Sequence, residues 1–212
     1  MAYLLKCLAI AAGLGAWFWT QAWLARRPFP SGGLQDRVHE LTEPLNRWLH
    51  AHPRHADRLL IGTSALIDVA GIGLLASAIF GPSFGPFVGL LMLFALRQLC
   101  QGLCALPPPP GMIWRSPGFP SALVTYGTSN DLFFSGHTAI AVYGGLELAQ
   151  QFGGWGIAAG AAFVVVEAAT VLVLRAHYTM DVFAGAIAAL WVWGAARMVA
   201  PSIDALIASL AR

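Results

Sequence analysis

The chain has 212 residues, of which 58% are hydrophobic and only 10% charged, with a formal net charge of +2. An average soluble domain carries about 25% charged residues, so this composition excludes a soluble globular protein, a disordered chain and a nucleic-acid binder. It fits an all-α, polytopic membrane protein. Cys7, Cys100 and Cys104 all lie in apolar runs and form no disulfide framework.

A bilayer span needs roughly 20 apolar residues, and six such runs follow in chain order. The first covers about residues 3–24. Near its start Lys6 precedes an apolar run, as in a signal peptide, but that run is too long for a signal peptide's apolar core and the span is expected to be a retained helix. Residues 25–58 then hold six arginines, four acids and four histidines. Within them Leu34, Val38, Leu41, Leu45, Trp48 and Leu49 fall at helical spacing, which predicts an amphipathic helix in the membrane interface. The second and third spans cover about 59–80 and 84–106. The segment 107–131 carries six prolines, several glycines and the aromatics Trp114, Phe119 and Tyr126, and is expected to be neither helix nor paired strand. The remaining spans cover about 132–152, 155–174 and 178–199, and the tail after Pro201 is expected to form one more short interfacial helix. The whole of 1–212 is thus expected to be a single six-helix transmembrane domain.

Folded up and down, these spans bring the end of the third, the start of the fourth, the end of the fifth and the start of the sixth to one face. Ionisable residues inside spans are functional hypotheses by default. His137 opens the fourth span and His177 and Asp181 open the sixth, while Arg97 lies about two turns below the end of the third and Arg175 ends the fifth. His177 and Asp181 are four residues apart and share a helix face. A carboxylate bonded to one imidazole nitrogen leaves the other as nucleophile or base. A second histidine can lend a proton to a leaving group, and arginines match phosphoryl oxygens. Ser135 and Gly136, small and at a helix start, are expected to let backbone N–H groups approach phosphate. Together these residues read as phosphoryl transfer through a phosphohistidine, with no metal and no cofactor.

Plainer readings apply elsewhere. Asp68, Glu147 and Glu167 are expected to be interhelical hydrogen-bonding groups. His50, His52 and His55 lack a cysteine or fixed carboxylate partner and are not expected to bind a metal. Cys100 and Cys104, one helical turn apart, are expected to pack.

Asn130-Asp131-Leu132-Phe133-Phe134-Ser135-Gly136-His137-Thr138 and Ala176-His177-Tyr178-Thr179-Met180-Asp181-Val182 resemble the two signature motifs of sphingomyelin synthases, a branch of the lipid phosphate phosphatase (PAP2) superfamily. Arg97 followed by Leu106-Pro107 and Pro110-Gly111-Met112 resembles that family's arginine and proline motif, with one extra proline. The resemblance covers about residues 90–185, the expected catalytic core. It implies six transmembrane helices and a site on the exoplasmic face. It also implies His177 as nucleophile, Asp181 as its orienting acid and His137 as proton donor. Arg97 and Asp131 are implied to bind phosphate and headgroup, and Arg175 and Tyr178 are placed with them as substrate-binding residues. The implied reaction moves a phospholipid headgroup to ceramide or another lipid alcohol and releases diacylglycerol. The implied partners are therefore phospholipid and lipid-alcohol substrates within the membrane.

Two further expectations complete the reading. The face carrying the motifs also holds Arg26, Arg27, Arg37, Arg47, Arg54 and Arg58, and by charge alone that face would be cytoplasmic. The alternatives to headgroup transfer are hydrolysis of a lipid phosphate and, in a different class, a small transporter using Asp68, Arg97, Glu147 and Glu167 as a polar path. The transporter requires charges spread through the bilayer depth, whereas the chemistry requires them clustered at one mouth.

Overall fold

Prolines and glycines punctuate the chain where its helices begin and end. Pro53 occupies the first turn of one helix and Pro86 that of the next, where the missing N–H costs no hydrogen bond. In the computed structural model, residues 1–26, 34–124, 126 and 132–211 are described. They form seven α-helices: α1 (Ala2–Leu24), α2 (Arg37–Ala51), α3 (Pro53–Phe80), α4 (Gly85–Leu103), α5 (Gly136–Phe152), α6 (Gly154–Val173) and α7 (Thr179–Leu210). Among the described residues there is no strand.

α1, α3, α4, α6 and α7 are long and apolar enough to cross a bilayer, which makes this a multi-pass membrane protein built as a helical bundle. α5 is shorter, at 17 residues, and begins four residues later than the expected start of the fourth span. α3 begins six residues before the predicted second span, because the polar turn after Pro53 winds into the same helix. The predicted interfacial helix is α2. The separate tail helix is not found. α7 runs on through Pro201 to Leu210, held because Ile203 and Ile207 pack against the Phe84, Phe87 and Ala196 cluster. Asp204 fixes the same stretch, accepting hydrogen bonds from Ser83 Oγ (2.7 Å) and Phe84 N (2.8 Å) at the start of α4.

α5 and α6 pack most intimately, joined at Gly153, whose φ of 60° suits glycine. A Cβ on Gly160 would come within 2.7 Å of the Gly145 carbonyl, so only glycines allow the two backbones this close. The main core joins Trp17, Ile67, Phe94, Phe134, Tyr143 and Val192 from five helices and the segment before α5. The described part of the proline-rich stretch, residues 107–124 and 126, is irregular, as expected, and is fastened to α3. The Asp68 carboxylate accepts from Ala122 N and Leu123 N (both 2.9 Å) and from Ser121 Oγ (3.2 Å). Asp68 therefore ties a loop to a helix rather than two helices together. Glu167 of α6 does bond across helices, accepting from Thr63 of α3.

α2 has an inverted arrangement for a helix resting on a protein. Its buried side carries His39, Asn46 and Leu49. Its outer side shows Leu41, Leu45 and Trp48, with Leu41 81% exposed. The apolar stripe read from the sequence is thus turned away from the bundle, as an interfacial helix on a lipid surface requires, except that Leu49 turns inward to join Ala56, Leu60, Ile113 and Leu174.

Candidate active site

The two motif-bearing helices start side by side. Ser135 precedes α5, and its hydroxyl caps that helix by accepting from Thr138 N (3.3 Å). Its own N–H donates to the carbonyl of Asp181 in the first turn of α7 (3.0 Å). A Cβ on Gly185 would lie 2.6 Å from Ser135 O, so a glycine at this place in α7 lets the two helix starts touch. The Ser135 N–H is therefore spent on a helix–helix bond and does not face a ligand.

α6 ends in a tight reversal that launches α7. Ala176 N donates to Val171 O (2.9 Å) and Arg175 N to Leu172 O (3.1 Å), the paired bonds of a Schellman motif. Arg175 sits at its left-handed position with φ 54°, where glycine is usual. His177 follows two residues after Arg175, and Asp181 lies in the first turn of α7. The Asp181 carboxylate accepts from Tyr178 N (2.8 Å), which satisfies a helix-start amide and fixes the carboxylate. His177 Nδ1 lies 3.8 Å from Asp181 Oδ2, with the imidazole 6% exposed and Asp181 fully buried. This separation exceeds a hydrogen bond, and such contacts commonly tighten only when substrate is present. Neither His177 Nδ1 nor the other Asp181 oxygen has a hydrogen-bond partner among the described residues.

His137, on the first turn of α5, and His177 line one cavity of about 50 Å³ together with Arg97 and Gly136. Arg97 reaches it from α4, its Nε donating to Phe134 O (3.0 Å). A Cβ at Gly136 would come within 3.1 Å of that Nε, so the glycine leaves room for the guanidinium at the helix start. The remaining wall is aromatic and aliphatic: Trp17 stacks on Phe94 (centroids 4.7 Å apart), and the rings of Trp114 and His137 meet in a T-shaped contact with centroids 5.3 Å apart. His137 Nε2 is buried without a hydrogen-bond partner among the described residues. Buried polar atoms left unpaired are uncommon and each calls for an explanation. Here three of them, on His137, His177 and Asp181, fall within the two motifs.

Of the residues singled out from sequence, Arg97, Gly136, His137 and His177 line the cavity, and Asp181 backs His177. Arg175 and Tyr178 do not line it. The Arg175 guanidinium donates to Glu43 and to the carbonyls of Pro110 and His39 (3.0 Å for His39). The Tyr178 hydroxyl accepts from Leu34 N (3.3 Å), and its ring stacks on His39. Asp131 lies outside the described residues. Sequence reasoning missed the polar face of α2. Asp36 accepts from Thr179 N (2.6 Å) and Thr179 Oγ1 (2.8 Å), and His39 Nε2 bonds to the His177 carbonyl (3.0 Å). It also missed the aromatic wall from Trp17 and Phe94. The only signal for Asp36 was its place as a helix-capping residue, which says nothing of a second helix.

Asp36 and His39 also differ electrostatically from free residues. Burial raises the Asp36 pKa, but the hydrogen bonds from Thr179 and the nearby His39 outweigh it and hold the carboxyl below its ordinary value. Burial pushes His39 below its ordinary value, with Arg175 acting in the same direction and Asp36, the His177 carbonyl and Asp181 acting against.

No curated protein and no solved structure matches the chain. A family model, AtPDCT1/2, matches residues 35–197, a stretch that includes α2 and both histidine motifs. That family is described as phosphatidylcholine:diacylglycerol cholinephosphotransferases and as sphingomyelin synthase-like. Because the match covers well over half of the 212 residues, this chain belongs to the AtPDCT1/2 family.

Proposed function

We propose that the protein is a phospholipid headgroup transferase that works through a phosphohistidine on His177. The observation that carries this reading is the convergence of His137, His177 and Arg97 on one cavity, with Asp181 set against the Nδ1 of His177. With Asp181 holding the Nδ1–H, His177 Nε2 attacks the phosphorus of a glycerophospholipid. The N–P bond forms as the P–O bond to the glycerol breaks, and His137 gives its proton to the departing diacylglycerol oxygen. Arg97 neutralises the charge that builds on the phosphoryl oxygens. In the second step a lipid hydroxyl gives its proton to His137 and attacks the phosphorus. The P–N bond breaks, and both histidines return to their starting states.

The family description points to phosphocholine as the headgroup and diacylglycerol as the acceptor. The wall of Trp17, Phe94 and Trp114 supports that headgroup, since aromatic faces attract quaternary ammonium groups. Ceramide is the acceptor implied by the sphingomyelin synthase resemblance, and water in its place would make the enzyme a lipid phosphatase.

The test uses protein in liposomes with phosphatidylcholine labelled on phosphorus, supplied with diacylglycerol, ceramide or neither, and products identified by mass. Label is expected on a histidine of the wild type and absent from His177→Ala, which should lose turnover by several orders of magnitude. His137→Ala should slow expulsion of diacylglycerol and therefore gain label on His177 much more slowly than the wild type, and a metal chelator should leave the rate unchanged. Full activity in His177→Ala would overturn the mechanism.

A further inference from the structure

We propose that Asp36 and His39 are positioning residues for the transfer step: α2 grips the α6–α7 turn and thereby sets the orientation of the His177 ring. The inference rests on the reading of His177 as nucleophile.

The grip is built from alternate residues of the turn. Asn46 Nδ2 donates to Val173 O (2.9 Å) and also to Gly111 O (3.2 Å). The Arg175 side chain is paired with Glu43 and with the carbonyl of His39. The His177 carbonyl bonds to His39 Nε2 at 3.0 Å. A carbonyl only accepts, so that nitrogen carries the proton. Thr179, the first residue of α7, gives both its N–H and its hydroxyl to Asp36. The same Asp36 carboxylate caps α2 by accepting from Val38 N (2.9 Å) and His39 N (3.3 Å). One side chain thus closes the starts of two helices, and orphan amides at both are satisfied by it.

The arrangement has a mechanical consequence. The peptide plane after His177 is fixed by His39 on one side and by the Thr179–Asp36 bonds two residues on. Between them Tyr178 is pinned by its stack on His39. Arg175 holds a left-handed backbone that a non-glycine residue keeps only when its surroundings impose it. Catalysis asks the imidazole to close a gap of 3.8 Å to Asp181 without losing its aim at the cavity. A misplacement of about 1 Å at a reacting group costs on the order of 100-fold in rate. The outer face of α2, with Leu41, Leu45 and Trp48, seats the clamp on the lipid surface.

Substitutions can separate positioning from folding. Asp36→Asn keeps an oxygen for the α2 cap but turns an amide toward Thr179 N–H. His39→Phe keeps a ring over Tyr178 and removes the donor, whereas His39→Gln restores a donor. Thr179→Val removes only the hydroxyl bond and covers the case in which Asp36→Asn fails to fold. Two measurements are made. The first is transfer from fluorescent phosphatidylcholine to diacylglycerol in liposomes. Asp36→Asn and His39→Phe should each lower kcat by about 10- to 100-fold with KM nearly unchanged, and His39→Gln should recover most of the loss. The second is amide exchange of the peptide covering residues 175–182, which needs no turnover and should quicken in Asp36→Asn, His39→Phe and Thr179→Val. Wild-type kcat in these variants, a change in KM alone, or unaltered exchange would overturn the clamp. An active His177→Ala would instead overturn the nucleophile reading, leaving the exchange result to stand for α2.

Discussion

Gly185→Ala perturbs the site without touching any group that meets substrate. Gly185 lies one turn beyond Asp181 on α7, and a Cβ there would stand 2.6 Å from the Ser135 carbonyl and 3.5 Å from Ala139 N. Ordinary carbon–oxygen contact begins near 3.4 Å, so the new methyl overlaps by roughly 0.8 Å. The atom it meets is backbone at the start of α5, and no side-chain rotation relieves the clash. α7 must therefore move away from α5, stretching the 3.0 Å bond from Ser135 N to Asp181 O and carrying His177 and Asp181 away from His137. Overpacking of this kind costs about 1–3 kcal/mol in stability, and a shift approaching 1 Å at the reacting groups costs roughly 10- to 100-fold in rate. The expected result is a folded protein with kcat reduced by that factor in the headgroup-transfer assay. Gly194→Ala is the control on the same helix, since nothing lies within 4 Å of its Cβ. It should keep full activity and gain up to about 1 kcal/mol from better helix propensity. Wild-type kcat in correctly folded Gly185→Ala protein would refute the claim that contact between the two helix starts sets the catalytic geometry.

Two further predictions concern the turn. Arg175→Gly and Arg175→Ala both delete the guanidinium that pairs with Glu43, but only glycine tolerates φ 54° at no cost; Arg175→Ala should be less stable by about 1 kcal/mol, read as a lower melting temperature in detergent. His39 titrates below its ordinary 6.5, chiefly because burial disfavours the imidazolium. Its contribution to stability is thus complete above pH 6.5 and is lost as pH falls through the lowered value. Asp36, also lowered, keeps its contribution until pH falls below its ordinary 3.8. Between pH 7 and 5 the melting temperature should therefore drop more in the wild type than in His39→Gln, and equal slopes would remove His39 from the account.

Five of the six expected spans and the meeting of the two motifs were legible, because a bilayer imposes one strong rule on composition and helix counting decides which ends meet. His137, His177 and Arg97 share a cavity for that reason alone. What stayed hidden depended on partners far away in sequence. Asp36 and Thr179 are 143 positions apart, and an aspartate before a helix reads only as a local cap. The apolar stripe of α2 was visible and pointed to the membrane interface, where the structure turns it outward. What the stripe could not show is the role of the opposite face, because only packing reveals that the polar side holds the turn. Arg175 looked like a phosphate ligand because it is an arginine near the site. Its left-handed backbone and the nearby Glu43 instead turn its guanidinium away from the cavity. The sequence suggests a separate short helix beyond Pro201, whereas α7 continues through it. Apolar packing of Ile203 and Ile207 and the Asp204 bonds outweigh the single hydrogen bond a proline forfeits.

The distribution of ionisable groups favours the proposed chemistry over transport. A polar path through the membrane needs charges at successive depths facing a common channel. Asp68 is instead occupied with the backbone of residues 122 and 123, and Glu167 with Thr63 between α3 and α6. Glu147 borders an apolar groove between α3, α5 and α6, with Ser77 and Gln151 near it, far along α5 from His137. Each of these has a local structural partner or setting, and none lines the cavity that holds the histidines. Arg97, contributed by α4, is the one member of the suggested path that does, and it arrives beside His137 and His177. Buried ionisable side chains are costly to place in a bundle of this composition, so the gathering of His137, His177 and Asp181 at two touching helix starts, with Arg97 beside them, suits the proposed phosphoryl transfer better than a path for transport.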